Sequence, residues 1–260
     1  MADKAGYALG PDRASAVEAR LGPIARREGL DSVRTLVEQI DPNTRPSLAW
    51  EVIEAILPGD SRFFRDREPF RLLGEKLLPA LAQARSGPIR ILSAGCSTGQ
   101  EAWSAALCAM EAGVQVDIQA LDLSAQAIEK AKSGVYTQFE VQRGLRSRQL
   151  IRWFERSEDL WRVSDRLRSG VRFGQANLMD GVGQTGRFDL IFCRYVLAEM
   201  TPQARRRVVE ALDAALEPAG FLFLGEGESV PEAQLAFRQV AGQKSMYVRK
   251  PQATTFSQVA

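Results

Sequence analysis

The stretch Ile89-Arg-Ile-Leu-Ser-Ala-Gly-Cys-Ser-Thr-Gly-Gln-Glu101 decides the architecture of this chain. An apolar run breaks at small residues and restarts as a helical pattern, which reads as a strand, a tight loop and a helix. Parallel sheets use that unit to cradle nucleotide-like ligands. A second apolar run, Val116–Leu121, ends on Asp122. A carboxylate at the tip of that strand is placed to bind ribose hydroxyls.

Working outward, the alternation of a parallel α/β sheet continues on the C-terminal side. The pattern predicts helices over Glu101–Met110, Ala125–Lys132 and Pro202–Leu216, and strands over Val171–Phe173, Phe188–Cys193 and Phe221–Gly225. It pauses between Gly134 and Gly170, where a helix over Ser147–Phe154 and a hairpin containing Trp161-Arg-Val163 suggest an inserted β-subdomain. A closing antiparallel pair is expected from Ala236–Val240 and Ser245–Arg249, turning at Ala241-Gly242-Gln243-Lys244. On the N-terminal side, apolar residues recur at three- and four-residue steps from Ala14 to Leu57, with breaks at Gly29 and Asp41-Pro42. Three short helices follow from that spacing. A further helix over Pro69–Ala84 should be interrupted near Pro79. The domain plan is therefore a helical unit over 1–60, an α/β domain over 61–250 with an insertion near 134–170, and a loose polar tail over 251–260.

Composition limits the chemistry. The 260 residues, 45% hydrophobic and 25% charged, can bury a full core, and a net charge of +2 does not call for nucleic acid or a membrane. Cys96, Cys108 and Cys193 form no CxxC, so a reduced, cytoplasmic protein is expected. No N-terminal stretch resembles a signal peptide and no run is long enough to span a bilayer. There are no histidines at all. That removes Ser-His-Asp triads, Cys-His dyads and HExxH zinc sites, and no metal site is expected.

The loop itself discriminates among ligands. A P-loop needs a lysine after its last glycine, whereas Gln100 follows Gly99. Dinucleotide enzymes prefer GxGxxG, and here Gly95 and Gly99 are spaced GxxxG. Glu101 at the helix start would oppose a pyrophosphate but suits an amine. S-adenosylmethionine carries an amine and no phosphate, so the pattern favours a methyltransferase.

Phe63-Phe64-Arg65, the loop Ser93–Glu101, Gly134-Val-Tyr136, Asn177-Leu178 and Phe188-Asp-Leu-Ile-Phe-Cys-Arg194 together resemble the CheR family of chemotaxis methyltransferases. The resemblance runs in order from about Val17 to Lys250. It implies a class I, Rossmann-like methyltransferase sheet with a helical N-terminal domain and a small inserted β-subdomain. It also implies S-adenosylmethionine as cofactor and glutamate side chains of chemoreceptors as acceptors. Carried over by position, it assigns cofactor contacts to Ser61, Arg65, Ala94, Gly95, Glu101, Asp122, Asn177, Leu178, Arg194 and Tyr195. In that assignment Asp122 serves the ribose, Glu101 or the loop backbone the amino-acid part, and Asn177 the adenine edge. Arg65, Tyr195 and Glu199 are the candidates for the reacting centre.

The chain departs from the family pattern around that centre. Gly59-Asp60-Ser61 stands where an Asn-Glu-Thr-like triplet is usual, Ala102-Trp103 replaces Pro-Tyr, Tyr195 replaces an Asn, and Glu199 replaces a Tyr. If Glu199 faces the methyl donor, its charge opposes a glutamate acceptor. Two alternatives follow from such a placement: a general base for another acceptor, or a cofactor-binding regulator with little transfer. A third reading turns Glu199 to solvent at a helix start.

The region Arg143–Arg172 carries nine arginines. They form either a docking face for an acidic helical region of a receptor or a solvated face balanced by Glu155, Glu158, Asp159 and Asp165. Nucleic acid is the weaker alternative, because exposed aromatics are not interleaved with the basic residues. Trp153 and Trp161 read as subdomain core, and Cys96 and Cys193 as buried packing near the pocket.

Overall fold

The computed structural model describes residues 2–8, 10, 13–182, 186–230 and 237–250. After a short helix α1 (Ala2–Ala5), three helices α2 (Ala14–Arg27), α3 (Val33–Gln39) and α4 (Pro46–Ile56) enclose a small core of their own around Leu21, Leu36, Val52 and Ile56. Ser32 begins α3 by accepting the Thr35 N–H, a side-chain cap at a point where the chain must turn.

The next helix has a defect with a cause. The chain is α-helical over α5 (Glu68–Leu72), widens to a π turn over Leu73–Leu77, and resumes as α6 (Leu78–Ala84). Pro79 has no N–H and its ring crowds the carbonyl four residues back, so the extra residue is accommodated on its N-terminal side. The break therefore precedes Pro79 instead of falling on it.

The central sheet follows: β1 (Ile89–Ala94), α7 (Gln100–Ala112), β2 (Val116–Asp122) and α8 (Ala125–Ser133). The intervening stretch supplies β3 (Val135–Thr137), α9 (Gln138–Gln142), α10 (Ser147–Trp153), β4 (Phe154–Ser157), β5 (Leu160–Val163) and α11 (Asp165–Arg168). Its strands form a separate antiparallel sheet in the order β3-β5-β4. The main sheet resumes with β6 (Val171–Gln175), β7 (Phe188–Cys193), α12 (Pro202–Ala215), β8 (Leu216–Leu224), β9 (Phe237–Gln239) and β10 (Met246–Arg249).

The seven strands lie in the order β6-β2-β1-β7-β8-β10-β9, parallel except that β10 runs against both of its neighbours. Strand β1 is flanked by β2 on one side and β7 on the other, so the winding reverses beside it. That reversal opens a crevice at the carboxyl ends of these strands. Strands β1 and β7 are almost wholly buried, as both faces of a parallel sheet require. Apolar cores fill the two faces, one around Trp103, Phe192 and Phe223, the other around Ile191, Val208 and Leu222.

Most boundaries shift by a residue or two, and the largest difference lies between α12 and β8. Helix α12 stops at Ala215, and the extended chain begins at Leu216 instead of Phe221. The pairing slips between Phe188 and Leu190, so Glu217, Pro218 and Ala219 are stepped over before Phe221 joins the ladder. Pro218 cannot donate to a ladder, which places the irregularity there. Ala236, the expected first residue of β9, and the tail 251–260 lie outside the described residues.

Candidate cofactor and acceptor site

The loop after β1 is built by backbone hydrogen bonds and two left-handed glycines. Gly95 N–H and Cys96 N–H both donate to the Leu121 carbonyl, at 2.8 and 3.0 Å. Gly95 has φ +80°, and a Cβ there would sit 2.4 Å from Val196 Cγ2. Only glycine leaves that space open. Tyr136, fully buried at the start of the small sheet, donates its hydroxyl to the Thr98 carbonyl at 2.7 Å. The Gly-Val-Tyr motif thus braces the loop from the insertion.

A cavity of about 300 Å³ opens beside this loop, within the range of small-molecule sites. Ser61, Arg65, Gly95, Glu101, Asp122, Arg194, Tyr195 and Glu199 all line it. Ala94 ends β1 directly before the loop and is buried. Asn177 and Leu178 are not among the lining residues. Leu178 is buried in the α12-side core, and Asn177 Nδ2 donates to the Lys4 carbonyl at 2.8 Å while its Oδ1 accepts the Met179 N–H.

Asp122 is held by the loop it faces. Its carboxylate accepts Ser97 N–H at 2.7 Å and Ser124 N–H at 2.9 Å. Burial raises its pKa, and these backbone donors oppose the rise. Glu54 from α4 reaches the same corner, where its carboxylate accepts the Ala125 N–H at 2.8 Å. The helical unit is thereby fastened beside Asp122.

Glu101 sits in a buried charge network. Ser93 Oγ donates to it at 2.7 Å and Arg194 Nη1 at 3.2 Å. Burial raises its pKa, with Arg194 and Ser93 pulling the other way. Arg194, 1% exposed, also donates to Asp66 at 2.5 Å and to the Arg65 carbonyl at 2.8 Å. Asp66 accepts the Tyr195 hydroxyl, and the Arg65 guanidinium lies 3.4 Å from the Tyr195 ring centroid. Arg65 Nε is buried without a hydrogen-bond partner among the described residues.

Tyr195 has φ +61°, an uncommon conformation for a bulky residue. Glu228 enforces it. Its buried carboxylate accepts N–H groups from Tyr195 at 2.5 Å, Ala198 at 3.0 Å and Gly225 at 2.8 Å. Glu199 closes a 3-10 turn, lines the cavity and forms an ion pair with Arg13. Its side chain is 27% exposed, so it neither points freely to solvent nor stands as an isolated charge. Cys96 and Cys193 are buried and their thiol pKa values are pushed up by desolvation, as packing residues.

Sequence reasoning missed Tyr7, Arg13, Glu54, Asp66 and Glu228. Glu228 carried a signal, because Gly225-Glu-Gly-Glu228 follows directly on a strand end. The others carry no local pattern. In the insertion, the arginines are largely engaged at home: Arg143 with Asp60, Arg162 with Asp165, Arg172 with Asp117, Arg152 and Arg166 over Trp153, and Arg156 over Trp161.

A sheet wound this way, with a glycine loop at its switch point and a carboxylate at the end of the next strand, defines a class I S-adenosylmethionine-dependent methyltransferase. The family pattern described as "CheR methyltransferase, SAM binding domain" matches residues 59–246, and the chain belongs to that family. "Chemotaxis protein methyltransferase 1" of Pseudomonas aeruginosa is 34% identical over 237 residues, 86% of this chain and 85% of that protein. "Chemotaxis protein methyltransferase Cher2" of Pseudomonas putida is 32% identical over 237 residues, 86% of each. "Probable biofilm formation methyltransferase WspC" of Pseudomonas putida is 32% identical over 205 residues, 76% of this chain and 48% of that protein. Among solved structures, PKMT2 from Rickettsia typhi in complex with AdoHcy is similar at 19% identity and a TM-score of 0.41, over 64% of this chain and 26% of that one. The last likeness is too distant to carry a ligand across.

The residues present fit S-adenosylmethionine. Asp122 offers a carboxylate and Glu101 adds an acid beside the loop, both lining the cavity.

Proposed function

We propose that this methyltransferase esterifies glutamate side chains of a chemoreceptor or a related signalling protein. The observation that carries the reading is the polarity of the cavity. Asp122 and Glu101 line it at the end of β2 and the start of α7, and Arg13, Arg62 and Arg65 line it together with Asp60 and Glu199, which pair with Arg65 and Arg13 and leave Arg62 as a cation for an acceptor. Acids suit the ribose and amine of the cofactor, and cations suit an acidic acceptor.

The cofactor supplies a methyl group on a sulfonium. The acceptor carboxylate is ionised at neutral pH, so it attacks without a base. A C–O bond forms as the S–C bond breaks, a neutral thioether leaves, and no proton moves. What the protein must provide is alignment and a dry cavity. Arg65 is placed for the alignment, because its planar guanidinium rests on Tyr195 with a buried N–H unused. Tyr195 is held by Asp66 and Glu228 and so fixes that plane.

Glu199 does not defeat this reading. Its ion pair with Arg13 offsets the charge that would repel a glutamate. Transfer of radiolabelled methyl to receptor fragments, followed by alkali, tests the proposal. A methyl ester releases its label in base. Label that survives alkali would place the methyl on nitrogen or a ring and overturn the proposal.

A further inference from the structure

One wall of the cofactor cavity comes from neither the sheet nor its loops but from the first residues of the chain. Ala5 is buried, and Gly6 has φ +73° with its Cβ position 2.7 Å from both Ala204 Cβ and Met179 Sδ. Tyr7 bridges Met200 in antiparallel fashion. Ala8 N–H donates to the Glu199 carbonyl at 2.9 Å, and Thr201 N–H donates to the Gly6 carbonyl at 2.8 Å. The Lys4 carbonyl accepts Asn177 Nδ2. The segment is thus stitched to two loops, one after β6 and one after β7. Tyr7 then lines the cavity together with Asp122, Gly95 and Glu199.

From this arrangement we propose that Tyr7 is a cofactor-contacting residue and that residues 2–8 form a strap closing the cavity over the adenosine part of S-adenosylmethionine. The placement selects adenosine over the methionine end. Tyr7 stands near Asp122, the ribose-side acid, and its strap is tied to Asn177 at the end of β6. Glu101, Arg194 and Arg65 form a separate network across the site. An aromatic ring offers adenine a stacking face and the ribose an apolar cover. Burial and then the Asp122 carboxylate keep the phenol protonated, so it serves as a donor.

The strap also explains the use of Asn177. Its amide holds the Lys4 carbonyl, so it acts on the adenine side of the cavity by positioning the strap. Gly6 fits the same account, since any side chain there would meet α12 and Met179.

The inference rests on the cofactor and not on the acceptor, so it is tested by binding alone. Calorimetry with S-adenosylhomocysteine should show Tyr7→Ala weakening binding by about tenfold and Tyr7→Phe by about threefold, as the ring is kept and the donor lost. Gly6→Val, which dislodges the strap without touching Tyr7, should weaken binding by roughly the Tyr7→Ala factor. In the unaltered protein, exchange at the Ala8 and Thr201 amides should slow when S-adenosylhomocysteine is added. Unchanged binding by Tyr7→Ala overturns the proposal. So does tighter binding, which would mean that Tyr7 occupies the cofactor's place. Exchange at Ala8 that is unaffected or faster with ligand overturns the strap independently of any variant's folding.

Discussion

Replacing Arg194 with Met isolates the energetics of the site. The guanidinium is 1% exposed and donates to Glu101, Asp66 and the Arg65 carbonyl. Its removal leaves two carboxylates behind, and they are not equivalent. Asp66, 17% exposed, keeps the Tyr195 hydroxyl and has Arg62 at 3.9 Å. Glu101, 13% exposed, keeps only Ser93 Oγ among its side-chain donors. Breaking one side of a buried pair in this way costs about 3–5 kcal/mol, against a total stability of roughly 5–15 kcal/mol. The loss should therefore be measurable by denaturant unfolding while the variant still folds.

The same change sets the pH dependence. Glu101 already has a raised folded pKa, so the folded state binds the proton more readily than the unfolded one. Stability on this account is greatest below the ordinary carboxylate pKa and falls as pH rises toward the raised folded value. Without Arg194, the strongest influence lowering that value is gone and the window extends toward neutrality. Lowering the pH from about 7.5 to about 5.5 should then return roughly 1–2.5 kcal/mol to the variant, within the limit of about 1.4 kcal/mol per pH unit that a single proton sets. Arg194→Met combined with Glu101→Gln should be insensitive over the same range and more stable than Arg194→Met at the higher pH. A loss under about 1 kcal/mol, or a loss that does not change with pH, would refute the orphaned-charge argument.

Gly95→Ala should weaken S-adenosylhomocysteine binding at least about tenfold by calorimetry, because φ +80° and a Cβ 2.4 Å from Val196 Cγ2 force the loop to move. Arg13→Ala should slow methyl transfer to a glutamate acceptor by about tenfold, and adding Glu199→Gln should restore it, since the cost arises from an unpaired charge. If the double variant stays slow, Arg13 acts in some other way. Glu228→Gln should lower stability by about 1–3 kcal/mol in a urea titration, because an amide cannot accept all three backbone N–H groups that the carboxylate now holds.

What could be read from the sequence was what depends on neighbours in the chain. The strand, loop and helix at Ile89–Ala112 follow from an apolar run, two glycines and helical spacing within some twenty residues, and the structure places all three there. The same holds for β2 ending on Asp122 and for the three N-terminal helices. Glu101 and Arg194 were each marked as cofactor contacts, yet their pairing was not visible. They meet because β1 and β7 are adjacent in the sheet, and adjacency of distant strands is not written in either strand's pattern.

The same reasoning explains why Glu199 was the hardest residue to interpret. Taken alone, a carboxylate where the CheR resemblance implies a tyrosine reads as a broken acceptor site. The compensating charge comes from Arg13, which stands at the start of α2 and is remote in sequence from Glu199. Residues 4–8 dock through backbone hydrogen bonds to Glu199 and Thr201 and through Asn177, so their place depends on loops formed only once β6 and β7 are assembled. Glu199 meets the N-terminal region twice, its carboxylate pairing with Arg13 and its carbonyl accepting the Ala8 N–H, and Tyr7 lines the same cavity, so an acid in the pocket wall is answered from a part of the chain remote in sequence.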